Sequence, residues 1–215
     1  MVVTRFGTAA DGDLAIDAAQ PGLDQRRGRI CPYPWTWLRQ VHGARVVTVK
    51  RPGEWAGAEA DAAVTTVGGA CLAIQSADCA PVLLRSADGS VIGAAHGGWR
   101  GLYDGVLEAT VEAMVELGAT GVVAELGPCI SASRYEFGAA DLTTLAMRFG
   151  PEVVAATDDG RPAFDLPAAV RSALGACGVE LVGAAPPCTA SDERYFSWRA
   201  RRDGGRQASV TWLAE

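Results

Sequence analysis

The chain holds two histidines, His42 in LRQVHG and His96 in AAHGGWRGL, and each is followed by glycine. Between them, in SADCAPVLL, lies Cys79. Imidazole and thiolate are good ligands for zinc, and for copper. Two histidines and a cysteine make three protein ligands, the number a catalytic zinc site uses while its fourth position takes water or substrate. The same side chains could act without metal, as a thiol nucleophile paired with His96 and oriented by Asp78 or His42. A third reading makes Cys79 a core thiol and the histidines hydrogen-bonded loop residues. The spacing 42, 79, 96 matches no short metal signature, so residue types alone leave all three open.

The elements that would position these groups are legible around Cys79 and His96. APVLL (80–84) and VIGAA (91–95) are short apolar runs flanking Ser86, Ala87, Asp88 and Gly89, a hairpin pattern. A four-residue loop sets Cys79 opposite His96. A two-residue Asp88–Gly89 loop sets His96 opposite Pro81, with Cys79 as the diagonal neighbour. Either register puts Cys79 and His96 on one face, because strand side chains alternate with period two. After His96, the glycines of HGGWRG allow close backbone approach, and a helix is predicted over 101–117 with Gly118 as its left-handed cap. A helix start favours anions, and Arg100 adds a charged fork there, so a phosphate or carboxylate beside His96 fits. Trp99 reads as packing rather than as a stacking platform.

Elsewhere the pattern predicts strands at VVTRF (2–6), 44–50, 61–67, 70–76, 121–127, 179–184 and 208–213, with the strand at 121–127 following the helix as a crossover. Helices are predicted over 139–149 and 166–177, with Pro167 in the first turn of the second. Residues 8–34, rich in Gly, Pro and Asp, read mostly as loop, as does GPCISASRYEF. Hairpins combined with crossover helices imply a mixed sheet and an α+β or mixed α/β class. No repeat or linker breaks the 215 residues, which read as a single domain over 1–215.

Composition narrows the function. A net charge of −6 argues against nucleic acid as the main partner. Arg194, Arg199, Arg201, Arg202 and Arg206 crowd the C-terminal region, as a solvated basic loop or a local anion site. Six cysteines without a C-x-x-C pair, and no secretory pattern, point to reduced thiols in a cytoplasm. Cys71, Cys129 and Cys177 read as core residues. No apolar run approaches the ~18–20 residues of a membrane span.

LRQVHG, DAAVTT, SADCAPVLL, AAHGGWRGL, LGPCISASRYEF and CT…YFSWR…GRQASV, in this order, resemble the laccase-domain family, also described as multicopper polyphenol oxidases, peptidoglycan-editing factors and purine nucleoside phosphorylases of the adenosine-cleaving type. The resemblance covers roughly residues 35–213. It implies a metal site of His42, Cys79 and His96, usually zinc with copper possible, and those three as catalytic residues. It implies an α+β fold of mixed β-sheets packed in layers with helices outside, similar to cysteine-hydrolase-like proteins. The implied activity is phosphorolysis of adenosine, inosine and methylthioadenosine to free base and ribose 1-phosphate, with adenosine deamination alongside. Gln40, Arg100 and Arg199 are its candidate substrate contacts, Arg100 for phosphate. Editing of peptidoglycan precursors by a Cys/His hydrolase, and copper-dependent phenol oxidation, are the alternatives the family allows. Ser133 and Arg134 stand where many members carry two cysteines, which removes soft ligands a multicopper cluster wants. The opening segment is shortened, and Val170 replaces a common asparagine.

Overall fold

In chain order the computed structural model, which describes residues 1–16 and 21–214, runs β1 (Val2–Phe6), α1 (Leu23–Ile30), β2 (Trp35–Trp37), β3 (Val46–Val49), β4 (Ala62–Thr65), β5 (Cys71–Ser76), β6 (Ala80–Arg85), β7 (Ile92–Gly97), α2 (Trp99–Tyr103), α3 (Val106–Glu116), β8 (Val123–Leu126), α4 (Ala139–Phe149), β9 (Val154–Ala156), β10 (Pro162–Phe164), α5 (Leu166–Ala176), β11 (Glu180–Val182), α6 (Trp198–Arg201) and β12 (Gln207–Leu213). Two mixed sheets carry the fold, one ordered β1-β12-β5-β2 and the other β11-β8-β6-β7-β4-β3, with β9 and β10 as a separate ribbon.

The layers follow from period-two burial on the strands. In β6, Val82 and Leu84 pack with Val106, Met114 and Leu174 of the helical layer. Leu83 between them packs the opposite way, with Leu72 and Ile74 of β5. The second sheet thus has a helical face and a face against the first sheet. The first sheet's outer face buries Cys71, Ala73 and Val210 with Leu14 and Ile30. This is the α+β architecture of layered mixed sheets with helices outside. Among the described residues no helix is long and apolar enough to cross a membrane.

The hairpin takes the two-residue register: Pro81 pairs with His96 and Arg85 with Ile92. Asp88 fixes the turn by accepting from the Ser86 hydroxyl at 2.6 Å and from the Ser90 amide at 3.0 Å. β8 pairs antiparallel with β6, which makes it parallel to β7 and confirms the crossover through the helices.

One expectation needs correction, and two elements were not foreseen. The single helix over 101–117 is two, because the chain breaks at Asp104 and Gly105 takes φ 92°, a left-handed conformation that ends one helix and starts the next. Residues 8–34 are mostly loop as expected, but α1 forms there without an apolar stripe. Ile30 is its buried residue, and the Arg27 guanidinium lies 5.6 and 5.1 Å from the Trp35 and Trp37 ring centres. Stacked arginine, not hydrophobic period, attaches this helix. The β9–β10 ribbon was not foreseen; its strands are three residues each, too short for a periodic signal.

A Cβ at Gly105 would meet no atom nearer than the Glu108 carboxylate at 3.7 Å, so Gly105→Ala tests backbone strain alone. It is expected to cost about 1–2 kcal/mol, read as a fall in melting temperature of about 2–8 °C.

Candidate metal centre

The segments that carry His42 and Cys79 are both crossings between the sheets. β2, in the first sheet, leads through residues 38–45 to β3, in the second, and His42 lies on the way. β5 leads through Ala77, Asp78 and Cys79 to β6 in the same sense. Because β2 and β5 pair parallel in one sheet, the crossings run side by side. His96 is the last residue but one of β7, and by alternation it shares the inter-sheet face with Ile92 and Ala94. Three ligands far apart in sequence therefore meet at the rim of the seam between the layers.

One buried carboxylate assembles them. Asp61, fully buried just before β4, accepts the amides of Val41 at 3.1 Å, His42 at 2.9 Å and Gly43 at 2.9 Å. It also meets Nδ1 of His96 at 2.8 Å, while its own carbonyl accepts the His96 amide at 2.7 Å. The three amides hold His42 at φ 61°, left-handed for a residue with a side chain. With its Nδ1–H donated to Asp61, His96 directs Nε2 at the other ligands, as metal-bound histidines do. Asp61 belongs to the DAAVTT motif, yet neither its spacing nor any nearby carboxylate marked it out, since its partners are three backbone amides and a histidine on another strand.

The cysteine is placed by a second buried carboxylate. Asp78 takes φ 94° and accepts the Thr189 hydroxyl at 2.7 Å, the Ser197 hydroxyl at 2.7 Å and the Arg199 amide at 2.6 Å. Asp78 thus tethers the corner to the C-terminal region rather than orienting the thiol. Cys79 Sγ stands 3.8 Å from His42 Nε2, and the two imidazoles meet edge to face with centres 4.9 Å apart. Gly98 closes the floor: a Cβ there would stand 2.7 Å from His42 Cδ2 and 3.5 Å from Cys79 Sγ.

The donor set fits a metal. Sγ of Cys79 and one nitrogen of each histidine all lie within 4.8 Å of one another. A tetrahedral zinc sets a sulfur and a nitrogen ligand about 3.6 Å apart, close to the Cys79–His42 distance. Exposure falls from His42 through half-buried Cys79 to buried His96, so the open side faces outward. Electrostatics agree. Burial pushes the Cys79 thiol up, but His96 and the hydrogen bond from His42 outweigh it and bring it down to about 6. Burial opposes a charge on His96, yet Cys79 and Asp61 raise it to about 9. For Asp61 burial again opposes charge, and the bonds from His96, Gly43 and Val41 still hold it below the usual carboxylate range. The two shifts run in the directions that favour a thiolate beside an imidazolium.

The centre opens on a cavity of about 690 Å³ whose wall includes Gln40, Gln75, Ser76, Trp198 and Arg206. Gln40 lines it with both amide ends engaged, Nε2 donating to the Gln75 carbonyl at 2.7 Å and Oε1 accepting the Gln75 amide at 2.9 Å. Arg100 and Arg199 lie outside this lining. The Arg100 guanidinium sits 4.8 Å from the Trp99 ring centre. Arg199 lines a separate cavity with Arg161, its guanidinium 4.8 Å from the Tyr135 ring centre. Trp99 packs edge-on against Phe137. In the basic C-terminal region, Arg194 and Arg201 pair with Asp192 and Asp203.

The chain matches the family described as multi-copper polyphenol oxidoreductase laccase over residues 13–214. It is 37% identical to a protein of Streptomyces coelicolor named purine nucleoside phosphorylase, across 97% of this chain and 87% of that one. It is 38% identical to a Xylella fastidiosa protein of the same name, across 96% and 82%. A solved structure of a Neisseria meningitidis protein, NMB0706, superposes with a TM-score of 0.83 at 30% identity, covering 100% of this chain and 91% of that one. YlmD from Geobacillus stearothermophilus shares the fold, with a TM-score of 0.80 at 23% identity over 100% and 91% of the two chains.

In chelated protein, the Cys79-specific rate of iodoacetamide alkylation, isolated by difference from Cys79→Ala, is expected to rise with pH around a midpoint near 6, because the thiolate is the nucleophile. Asp61→Asn removes the carboxylate that supports the His96 charge, so that midpoint moves upward. The same substitution is expected to weaken zinc binding by about 10–100-fold in a chelator competition.

Proposed function

This chain belongs to the multi-copper polyphenol oxidoreductase laccase family, and on that premise we propose that it is a zinc-dependent purine nucleoside phosphorylase. It cleaves adenosine, and also inosine and methylthioadenosine, with phosphate to free base and ribose 1-phosphate, and deaminates adenosine as a side activity. The observation that carries this reading is a three-ligand centre with an open side on a cavity of nucleoside size. The relatives' names point the same way.

His42, Cys79 and His96 hold the zinc. When bound, it supplies a Lewis acid and a water that ionises near neutrality. The rest is done by the chain. Asp61 keeps the proton on Nδ1 of His96 and so fixes which nitrogen faces the cavity. Gln40 holds the end of β5 in place. Arg206 places a guanidinium at the cavity wall, its Nη1 braced by the carbonyls of Asp203, Gly204 and Gly205 at 3.1, 3.0 and 2.8 Å. It suits the phosphate oxygens that attack C1′ of the ribose. Arg100 and Arg199 reach substrate in this reading only from outside the lining.

A hydrolase acting on peptidoglycan precursors is the second reading, favoured by one observation: Cys79 Sγ stands 3.8 Å from His42 Nε2 with His96 beside it, a thiol–imidazole arrangement that favours the thiolate, the state of an activated nucleophile. The donor set gives the copper phenol oxidase less support. Among the described residues one group of three metal-binding side chains is present, and a multicopper cluster wants more nitrogen and sulfur donors.

Chromatography of adenosine incubated with zinc-loaded protein is expected to show adenine with phosphate and none without it. Cys79→Ala is expected to lower the rate by more than about 100-fold, beyond what loss of an outer partner causes. Absence of adenine and inosine under both conditions would sink the phosphorylase and favour the hydrolase.

A further inference from the structure

Gln75 is 5% exposed and Ser76 3% exposed at the end of β5, and both line the cavity of the metal centre. Among the described residues no protein group satisfies Nε2 or Oε1 of Gln75, or Oγ of Ser76. The backbone around them is fully held. The Gln75 amide and carbonyl are clamped by Gln40, and the strand pairs on its other side with β12, Gln75 against Ala208 and Ser76 against Gln207. Gln40 and Gln75 thus differ: one amide is consumed in building the wall, and the other is buried in it unpaired. A buried amide with neither end paired is expensive to keep. A ligand that pairs both ends removes that cost.

The amide states what it needs. A carboxamide offers an acceptor and donors side by side in one plane. The matching ligand edge is planar, with a donor next to an acceptor. The exocyclic N6–H and ring N7 of a 6-aminopurine have that arrangement, and glutamine pairs with them bidentately. A 6-oxopurine presents two acceptors there, O6 and N7, and leaves Oε1 unmatched. The same cavity wall carries Trp198, 49% exposed, with the Arg202 guanidinium 5.3 Å from its ring centre. An exposed indole suits a purine face, and stacking of this kind ignores which base is present.

We infer that Gln75 is the residue by which this chain reads the base, pairing with N6 and N7 of a 6-aminopurine while Trp198 takes its face. The inference rests on the nucleoside reading of the site. It makes Gln75 a specificity residue, separate from the three side chains that would hold the zinc.

Calorimetry of zinc-loaded protein with adenosine and inosine, on wild type and Gln75→Leu, tests it alongside steady-state kinetics. Wild type is expected to bind adenosine more tightly than inosine. Gln75→Leu is expected to weaken adenosine binding by about 10–100-fold, the span of a lost bidentate base contact, to change inosine far less, and to leave zinc content near wild type. Gln75→Glu keeps the acceptor for N6–H and loses the donor to N7, so it should fall between the two. Equal losses for adenosine and inosine, or no loss, would overturn the base-reading role, and so would wild type that binds neither nucleoside. A wild type that binds adenosine with the expected Gln75 dependence and never cleaves it upholds the inference and sinks the phosphorylase. One that cleaves both nucleosides in a ratio indifferent to Gln75 does the reverse.

Discussion

The Asp61 carboxylate is the constraint on which the centre depends. It sits in the core, where an uncompensated charge is not tolerated, and three consecutive amides and an imidazole compensate it. The loop around His42 therefore has one low-energy path, wrapped on that carboxylate, and the ring of His96 has one orientation. Two ligands from distant parts of the chain are registered to each other by a group that is not itself a ligand. Asp78 does the same for the third, from the opposite side, by tying the corner before Cys79 to Thr189, Ser197 and the start of α6.

The packing of the two sheets explains why the site is where it is. Within a layer, hydrogen bonds and alternating side chains leave little room for irregular backbone. Where the chain leaves one sheet for the next, strand geometry ends and left-handed residues are tolerated; His42 and Asp78 both use that freedom. The adjacent crossings then bring unusual backbone, polar groups and an opening to solvent to one edge of an otherwise apolar seam. Gly98 marks how tight the result is, since no side chain fits between it and the His42 ring.

Much of this was legible in the residues, for particular reasons. Alternation placed Cys79 and His96 on one side of a hairpin in either register, the structure choosing the two-residue turn, and helices with a clear apolar stripe, such as α4, were found to the residue. His42 could be joined to that pair only through family resemblance, because no periodic signal links a loop to a strand in another sheet. Asp61 was missed because three of its partners are amides, which any sequence supplies, and the fourth, His96, lies on a distant strand. The helix α1 was missed because arginine stacking on tryptophan carries no period, and the break at Gly105 because the apolar stripe runs on through it.

The order of the first sheet places a demand on the sequence of events in folding. β12 lies between β1 and β5, yet it follows every other strand along the chain. Until residues 207–213 have emerged, β1 has no neighbour and β5 lacks one flank. The far wall of the cavity, which includes Arg206, is missing as well. A nascent chain can build its hairpin and its helical layer early, from local contacts, but the ligand-bearing seam closes only with a long-range strand insertion. Late assembly of this kind makes the final strand a checkpoint: a chain that stops short of it presents an open sheet edge to chaperones and proteases instead of a finished site.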